Sequence, residues 1–196
     1  MWEDPSITWT DSLTGSTVHY LNVTSLQWLN SSAYSIPETG FNAGGGDPSI
    51  WKHEVMVIVP PTVTITNTVV LYATGGCNSG SVTDPSDTEV KVVAAAAYEG
   101  QFVAAVMKQL PNCKMIFSDD PDKKPRSEDG LMSWTMKAFL NAKPKPKPEL
   151  YGIFPMAKAA LQGCRAVRDF AAMRGYITPD AGFIISGGSK RGQLTW

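Results

Sequence analysis

Histidine is scarce in this sequence, with two in 196 residues, at positions 19 and 53. Any chemistry that needs an imidazole base must use one of these two or sequence beyond them. Cysteine is nearly as rare. Cys77, Cys113 and Cys164 have no metal-ligand spacing, and three thiols leave at least one unpaired. Each is read as a free, buried cysteine. No run approaches the roughly 18 consecutive apolar residues that a membrane-spanning helix needs. The opening "MWEDPSITW" lacks the basic and apolar character of a signal peptide. A net charge of −1 gives no global attraction to nucleic acid or to an anionic membrane.

What remains is the composition of a globular protein, 43% hydrophobic and 18% charged. The first 50 residues read as β-rich. "STVHYLNVTSLQWL" is dense in β-branched and aromatic residues, follows the turn-prone "SLTG", and predicts one or two antiparallel strands. His19 alternates along it and reads as an exposed strand residue. "AGGGDPS" reads as a loop. "HEVMVIVPP" and "NTVVLYATGG" are apolar runs suited to strands buried on both faces. His53 opens the first of them and reads as the maker of a structural hydrogen bond.

Beyond residue 87 the texture alternates. "DTEVKVVAAAAYEG" and "EDGLMSWTMKAFL" predict helices, and "QFVAAVMKQLP" a strand. "KPKPKPEL" can form neither helix nor central strand, because alternate residues lack a donor, so it predicts an extended surface connector. Met156, Ala159, Ala160, Gly163, Val167, Phe170 and Ala171 recur at helical spacing between Pro155 and Gly175, which predicts a helix of about five turns. "AGFIISGG" follows as a strand. Strands alternating with helices predict an α/β fold with a mostly parallel sheet and flanking helices, in one domain spanning 1–196, with the β/α core from residue 51 onward.

The strand "FIISGG" runs directly into Ser189. A serine hydroxyl needs a base and oxyanion donors to act as a nucleophile, and a glycine-flanked strand-to-helix turn is one way to present it. Here Gly187 precedes Ser189 by two residues, and the next glycine, Gly192, stands one place later than in G-x-S-x-G. Ser189 is the candidate nucleophile. The backbone N–H of Lys190 and one from the "TGGCN" turn, at Gly76, Cys77 or Asn78, are candidate oxyanion donors. In "RSED", Arg126, Glu128 and Asp129 precede a helix, where acids suit the N-terminal end. A carboxylate there, such as Asp129, is a candidate partner for Lys190 or Arg191 that supports the elbow. Asn22 and Asn30 open two N-glycosylation sequons, Asn22-Val23-Thr24 and Asn30-Ser31-Ser32.

Taken together and in order, "WKHEVMVIVPP", "TGGCN", "KQLPN", "RSEDGLMSWTMKAFL", "FPMAKAALQGCRAVRDF" and "ISGGSKRGQLTW" resemble the PhoPQ-activated pathogenicity-related protein family. That family includes a secreted autocrine proliferation repressor of social amoebae. The resemblance implies the N-terminal part of an α/β-hydrolase-like domain with Ser189 at the nucleophile position, and a secreted or periplasmic setting. Family members usually carry a larger aromatic residue where Gln193 stands, and they continue well beyond the elbow. In α/β hydrolases the acid and the histidine follow the serine, whereas both histidines here precede it. The chain therefore reads as a fragment truncated after the elbow, a hydrolase inactive without downstream partners. The other reading is a secreted signalling protein that uses the scaffold without catalysis. The implied partner is a small ester or peptide substrate, or a protein receptor. No metal or organic cofactor, nucleic acid or membrane span is implied.

Overall fold

Alternation along the strands sorts the core into two layers. A computed structural model of the chain describes residues 1–36, 46–77 and 82–195. Its strands are β1 (Trp2–Glu3), β2 (Thr8–Thr10), β3 (Thr17–Gln27), β4 (Tyr34–Ser35), β5 (Ile50–Val59), β6 (Ile65–Ala73), β7 (Phe102–Met107), β8 (Ile116–Phe117) and β9 (Gly182–Gly187). The helices are α1 (Thr88–Gly100), α2 (Glu128–Asn141), α3 (Ile153–Met173) and the single turn α4 (Lys190–Gln193). Residues Val55, Val57, Leu71, Ala105 and Met107 face α3, while Met56, Ile58, Ala104 and Val106 face α1. Successive strand residues thus point to opposite faces, each covered by a helix.

The main sheet has the order β1-β3-β5-β7-β6-β9, with β2 also on β3. β7, β6 and β9 are mutually parallel, and β3 points the same way. β1, β2 and β5 run in the opposite direction. The apolar run of β5 is buried on both faces as its composition predicts, yet its pairing is antiparallel to both neighbours. The β-rich N-terminal segment forms one long strand, β3, bulged between Thr24 and Leu26. β9 ends the sheet among the described residues, with Ile184 exposed on it.

The helices start and stop where local chemistry dictates. Asp87 caps α1 by accepting hydrogen bonds from the N–H groups of Glu89 and Val90. The whole predicted apolar stripe of α3 is buried, and Gly175 follows its end with φ +76°. Gly163 allows α3 to lie close on the sheet, since a Cβ there would stand 2.4 Å from Met107 Sδ. The proline-lysine stretch is an exposed connector that ends in a short 3-10 turn at Pro148–Leu150.

Two sequence readings are corrected. His19 is not exposed but 6% accessible, because Phe170 of α3 and Tyr176 cover that face of β3, with ring centroids 5.1 and 5.9 Å away. Cys77 and Cys113 are not free thiols. They form a disulfide, since the loops after β6 and β7 lie side by side. Cys164 is free and buried, as read, and burial raises its thiol pKa to about 12.

Phe170 is fully buried and contacts both Trp2 and His19. Phe170→Ala is therefore expected to cost about 3–5 kcal/mol of stability. Urea unfolding monitored by circular dichroism checks this.

Candidate active site

The sheet register brings the candidate site together. Ala73 at the end of β6 is paired with Gly187 at the end of β9 and with Met107 at the end of β7. The turn 74–77, the elbow 188–189 and the loop 108–113 therefore leave adjacent parallel strands at one level, on their carboxyl edge. Clefts of open α/β sheets form at that edge.

Ser189 has φ 56° and ψ −127°, a backbone conformation that side-chain-bearing residues rarely adopt. Strand and helix meet closely around it. A Cβ on Gly187 would stand 2.8 Å from the Ala73 carbonyl oxygen and 2.9 Å from Arg191 Cβ, and one on Gly192 would stand 2.8 Å from the Gly187 carbonyl oxygen. The glycine that arrives one place late thus packs against the first glycine of the motif. The N–H of Lys190 opens α4, and the first N–H groups of a helix have no intrahelical acceptor.

The two bases behind the serine are buried and neutralised. The Arg191 guanidinium donates from Nη1 to Glu128 Oε2 at 2.8 Å and from Nη2 to Oε1 at 2.6 Å. Its Nε donates to the Leu110 carbonyl. Lys190 Nζ donates to Glu128 Oε2 at 2.6 Å and lies 2.9 Å from Asp129 Oδ1. Glu128 holds both cations, with its backbone at φ 49° to aim the carboxylate back at them. Asp129, the expected partner, pairs with Lys190 from the exposed side, and Glu128 beside it binds both cations. The hydrogen bonds from Arg191 first, then those from Lys190, lower the Glu128 pKa to about 2. Burial alone would lower the Lys190 pKa, but its bonds to Glu128 and Asp129 outweigh this and raise it.

The turn after β6 is shaped to the same pair. A Cβ on Gly75 would stand 2.6 Å from Arg191 Nη2, so a side chain there would force the guanidinium to shift. Gly76 has φ +89°, and the disulfide from Cys77 ties the turn to the loop after β7. That loop reaches back, with the Gln109 N–H donating to the Gly75 carbonyl at 2.8 Å. Asn78 lies outside the described residues. Arg126 serves elsewhere, holding buried Asp120 and covering Trp134 at 4.1 Å.

His53 has both ring nitrogens engaged away from Ser189. His53 is 1% exposed, with Nδ1 3.1 Å from the Lys108 carbonyl and Nε2 2.8 Å from Ser25 Oγ. A carbonyl only accepts, so Nδ1 carries the proton and the Ser25 hydroxyl donates to Nε2. Burial lowers the His53 pKa to about 4, despite the stabilising backbone contacts. Its structural hydrogen bonds were the sequence expectation. His19 Nε2 lies 3.4 Å from the Tyr176 hydroxyl. Asn22 sits within β3, half-buried, and Asn30 is exposed in the turn that follows. Among the described residues no cluster of ligating side chains could hold a metal ion, and no helix is long and apolar enough to cross a membrane.

Glu128→Gln should destabilise the fold by about 2 kcal/mol, below the usual cost of breaking a buried pair because the carboxylate is half exposed. Since folding lowers the Glu128 pKa, its contribution is present above pH 4.5 and fades as pH falls toward about 2. Melting curves of both proteins should therefore converge in acid. His53 has the same sign. Its folded pKa lies below the unfolded value, so stability is complete above pH 6.5 and declines toward pH 4. NMR titration should find the His53 ring neutral at pH 5.5.

The model of the PhoPQ-activated pathogenicity-related protein family matches residues 5–196. Autocrine proliferation repressor protein A of Dictyostelium discoideum is 32% identical over 181 residues, which is 92% of this chain and 32% of that protein. The chain thus spans about a third of that relative's length. Among solved structures, a glucuronoyl esterase from Solibacter usitatus aligns with all of this chain and 47% of its own, at 13% identity and a TM-score of 0.49. An acetyl xylan esterase from Paenibacillus sp. R4 aligns with 98% of this chain and 47% of its own, at 13% identity and a TM-score of 0.42. By the extent of the family match and the identity to the Dictyostelium protein, the chain belongs to the PhoPQ-activated pathogenicity-related protein family.

Proposed function

We propose that this chain carries the nucleophile-bearing part of a serine hydrolase of the esterase or peptidase kind, with Ser189 as nucleophile. The observation that carries this reading is the Ser189 backbone, at φ 56° and ψ −127°, on a strand-to-helix turn packed between Gly187 and Gly192. Such strain is costly and persists where the surrounding structure and a function maintain it. In this reading Ser189 Oγ attacks an acyl carbon. The Lys190 N–H and an N–H from Gly76 or Cys77 receive the oxyanion, while Arg191, Glu128 and Asp129 hold the elbow in place. In this reading the general base and its acid come from sequence beyond these 196 residues, since His53 has both ring nitrogens engaged and His19 is buried beside Phe170 and Tyr176. The chain alone then retains only the residual catalysis, ~10³–10⁴-fold over water, that oxyanion donors and binding supply. The disulfide Cys77–Cys113 fits an oxidising, extracellular setting.

A second reading rests on the name of the Dictyostelium relative, an autocrine proliferation repressor. In it the elbow is a scaffold feature and the partner is a protein receptor. Labelling with a fluorophosphonate probe separates the two. A longer version of the protein, carrying sequence beyond residue 196, should label, and Ser189→Ala should abolish the label. The 196-residue chain should label weakly. A folded longer protein that takes no label would favour the receptor-binding reading.

A further inference from the structure

The two sequons occupy very different places in the fold. Asn22 lies mid-strand in β3, paired with Glu3 of β1 on one side and Glu54 of β5 on the other. Its Oδ1 is buried and has no hydrogen-bond partner. The amide is thus partly enclosed in the folded sheet, whereas a transferred oligosaccharide needs an amide open to solvent. Asn30 stands in the exposed turn after β3. Its Oδ1 accepts from the Ser32 N–H at 3.0 Å and from the Ser32 hydroxyl at 2.6 Å. The hydroxyl of the third sequon residue therefore already bonds the asparagine amide oxygen, which leaves Nδ2 directed away from both contacts.

Asn30 also forms one wall of a cleft of about 350 Å³, lined further by Leu29, Phe117, Trp134, Ala138 and Leu150. Most of that wall is apolar, and Trp134 is half-buried in it. A group attached at Asn30 is held at the mouth of this cleft by its own covalent bond, without any separate binding step.

We propose that Asn30, and not Asn22, carries an N-linked oligosaccharide, and that the sugar nearest the chain closes the cleft in front of Trp134. In the reaction, Asn30 Nδ2 attacks C1 of a lipid-pyrophosphate-linked oligosaccharide. The bond from C1 to the pyrophosphate oxygen breaks, the lipid pyrophosphate leaves with the electron pair, and Nδ2 gives up one of its two protons to a base of the transferring enzyme. Nothing is oxidised or reduced. The Cys77–Cys113 disulfide points to the oxidising compartment in which that transfer takes place.

The test is expression of the chain through a eukaryotic secretory pathway behind an added leader, followed by peptide mapping before and after glycan release. A glycan mass at Asn30 is expected, lost in both Asn30→Gln and Ser32→Ala and retained in Asn22→Gln. Secreted, folded protein that is unmodified at Asn30, or modified at Asn22, overturns the assignment. Hydroxyl-radical footprinting then reads the cleft. Trp134 should be oxidised at least twofold more slowly in the glycosylated protein than in Asn30→Gln, and equal rates would show that the sugar does not cover it.

Discussion

One carboxylate organises the carboxyl edge of the sheet. Glu128 receives the Arg191 guanidinium in two parallel bonds and the Lys190 ammonium in a third. Paired bonds of this kind fix orientation as well as charge. Through Arg191 the same carboxylate reaches the Leu110 carbonyl after β7, and the guanidinium occupies the space a Cβ on Gly75 after β6 would need. Without it, the buried Arg191 guanidinium would lose its carboxylate and Lys190 would keep only the exposed Asp129. The lack of a side chain at position 75 leaves room for that pair.

The site depends equally on the parallel part of the sheet. Because Ala73 and Gly187 share a register level, two turns from segments more than 100 residues apart open side by side. The antiparallel strands β3 and β5 contribute no candidate site residue. Their part is to bury β7 on its other side and to fill the layers under α1 and α3.

Much of this was legible because it is local or periodic. The stripe of α3, the apolar runs of β5 and β6 and the turn before Ser189 are each encoded within one short window. The disulfide was not, since Cys77 and Cys113 meet only when β6 and β7 pair, at a sequence separation of 36. His19 was misplaced because alternation in β3 suggested one solvent face, and Phe170 of α3 together with Tyr176, both far along the chain, cover it. The elbow's counter-ion was narrowed to "RSED", but choosing Glu128 over Asp129 required the backbone angle at residue 128. Nothing in the neighbouring letters announces that angle.

The insertion of β7 between β5 and β6 also imposes an order of events during synthesis. β5 and β6 run in opposite directions and are joined by residues 60–64, so the chain that has just emerged holds two adjacent strands able to pair as a hairpin. In the finished sheet those strands never touch in the ladder. The segment 102–107, made only after all of α1, has to take its place between them before the sheet can close. Non-local pairing of this sort is slow and exposes strand edges while it waits. Between the emergence of β6 and the arrival of β7, the edges of β5 and β6 that β7 will cover have no partner in the final ladder.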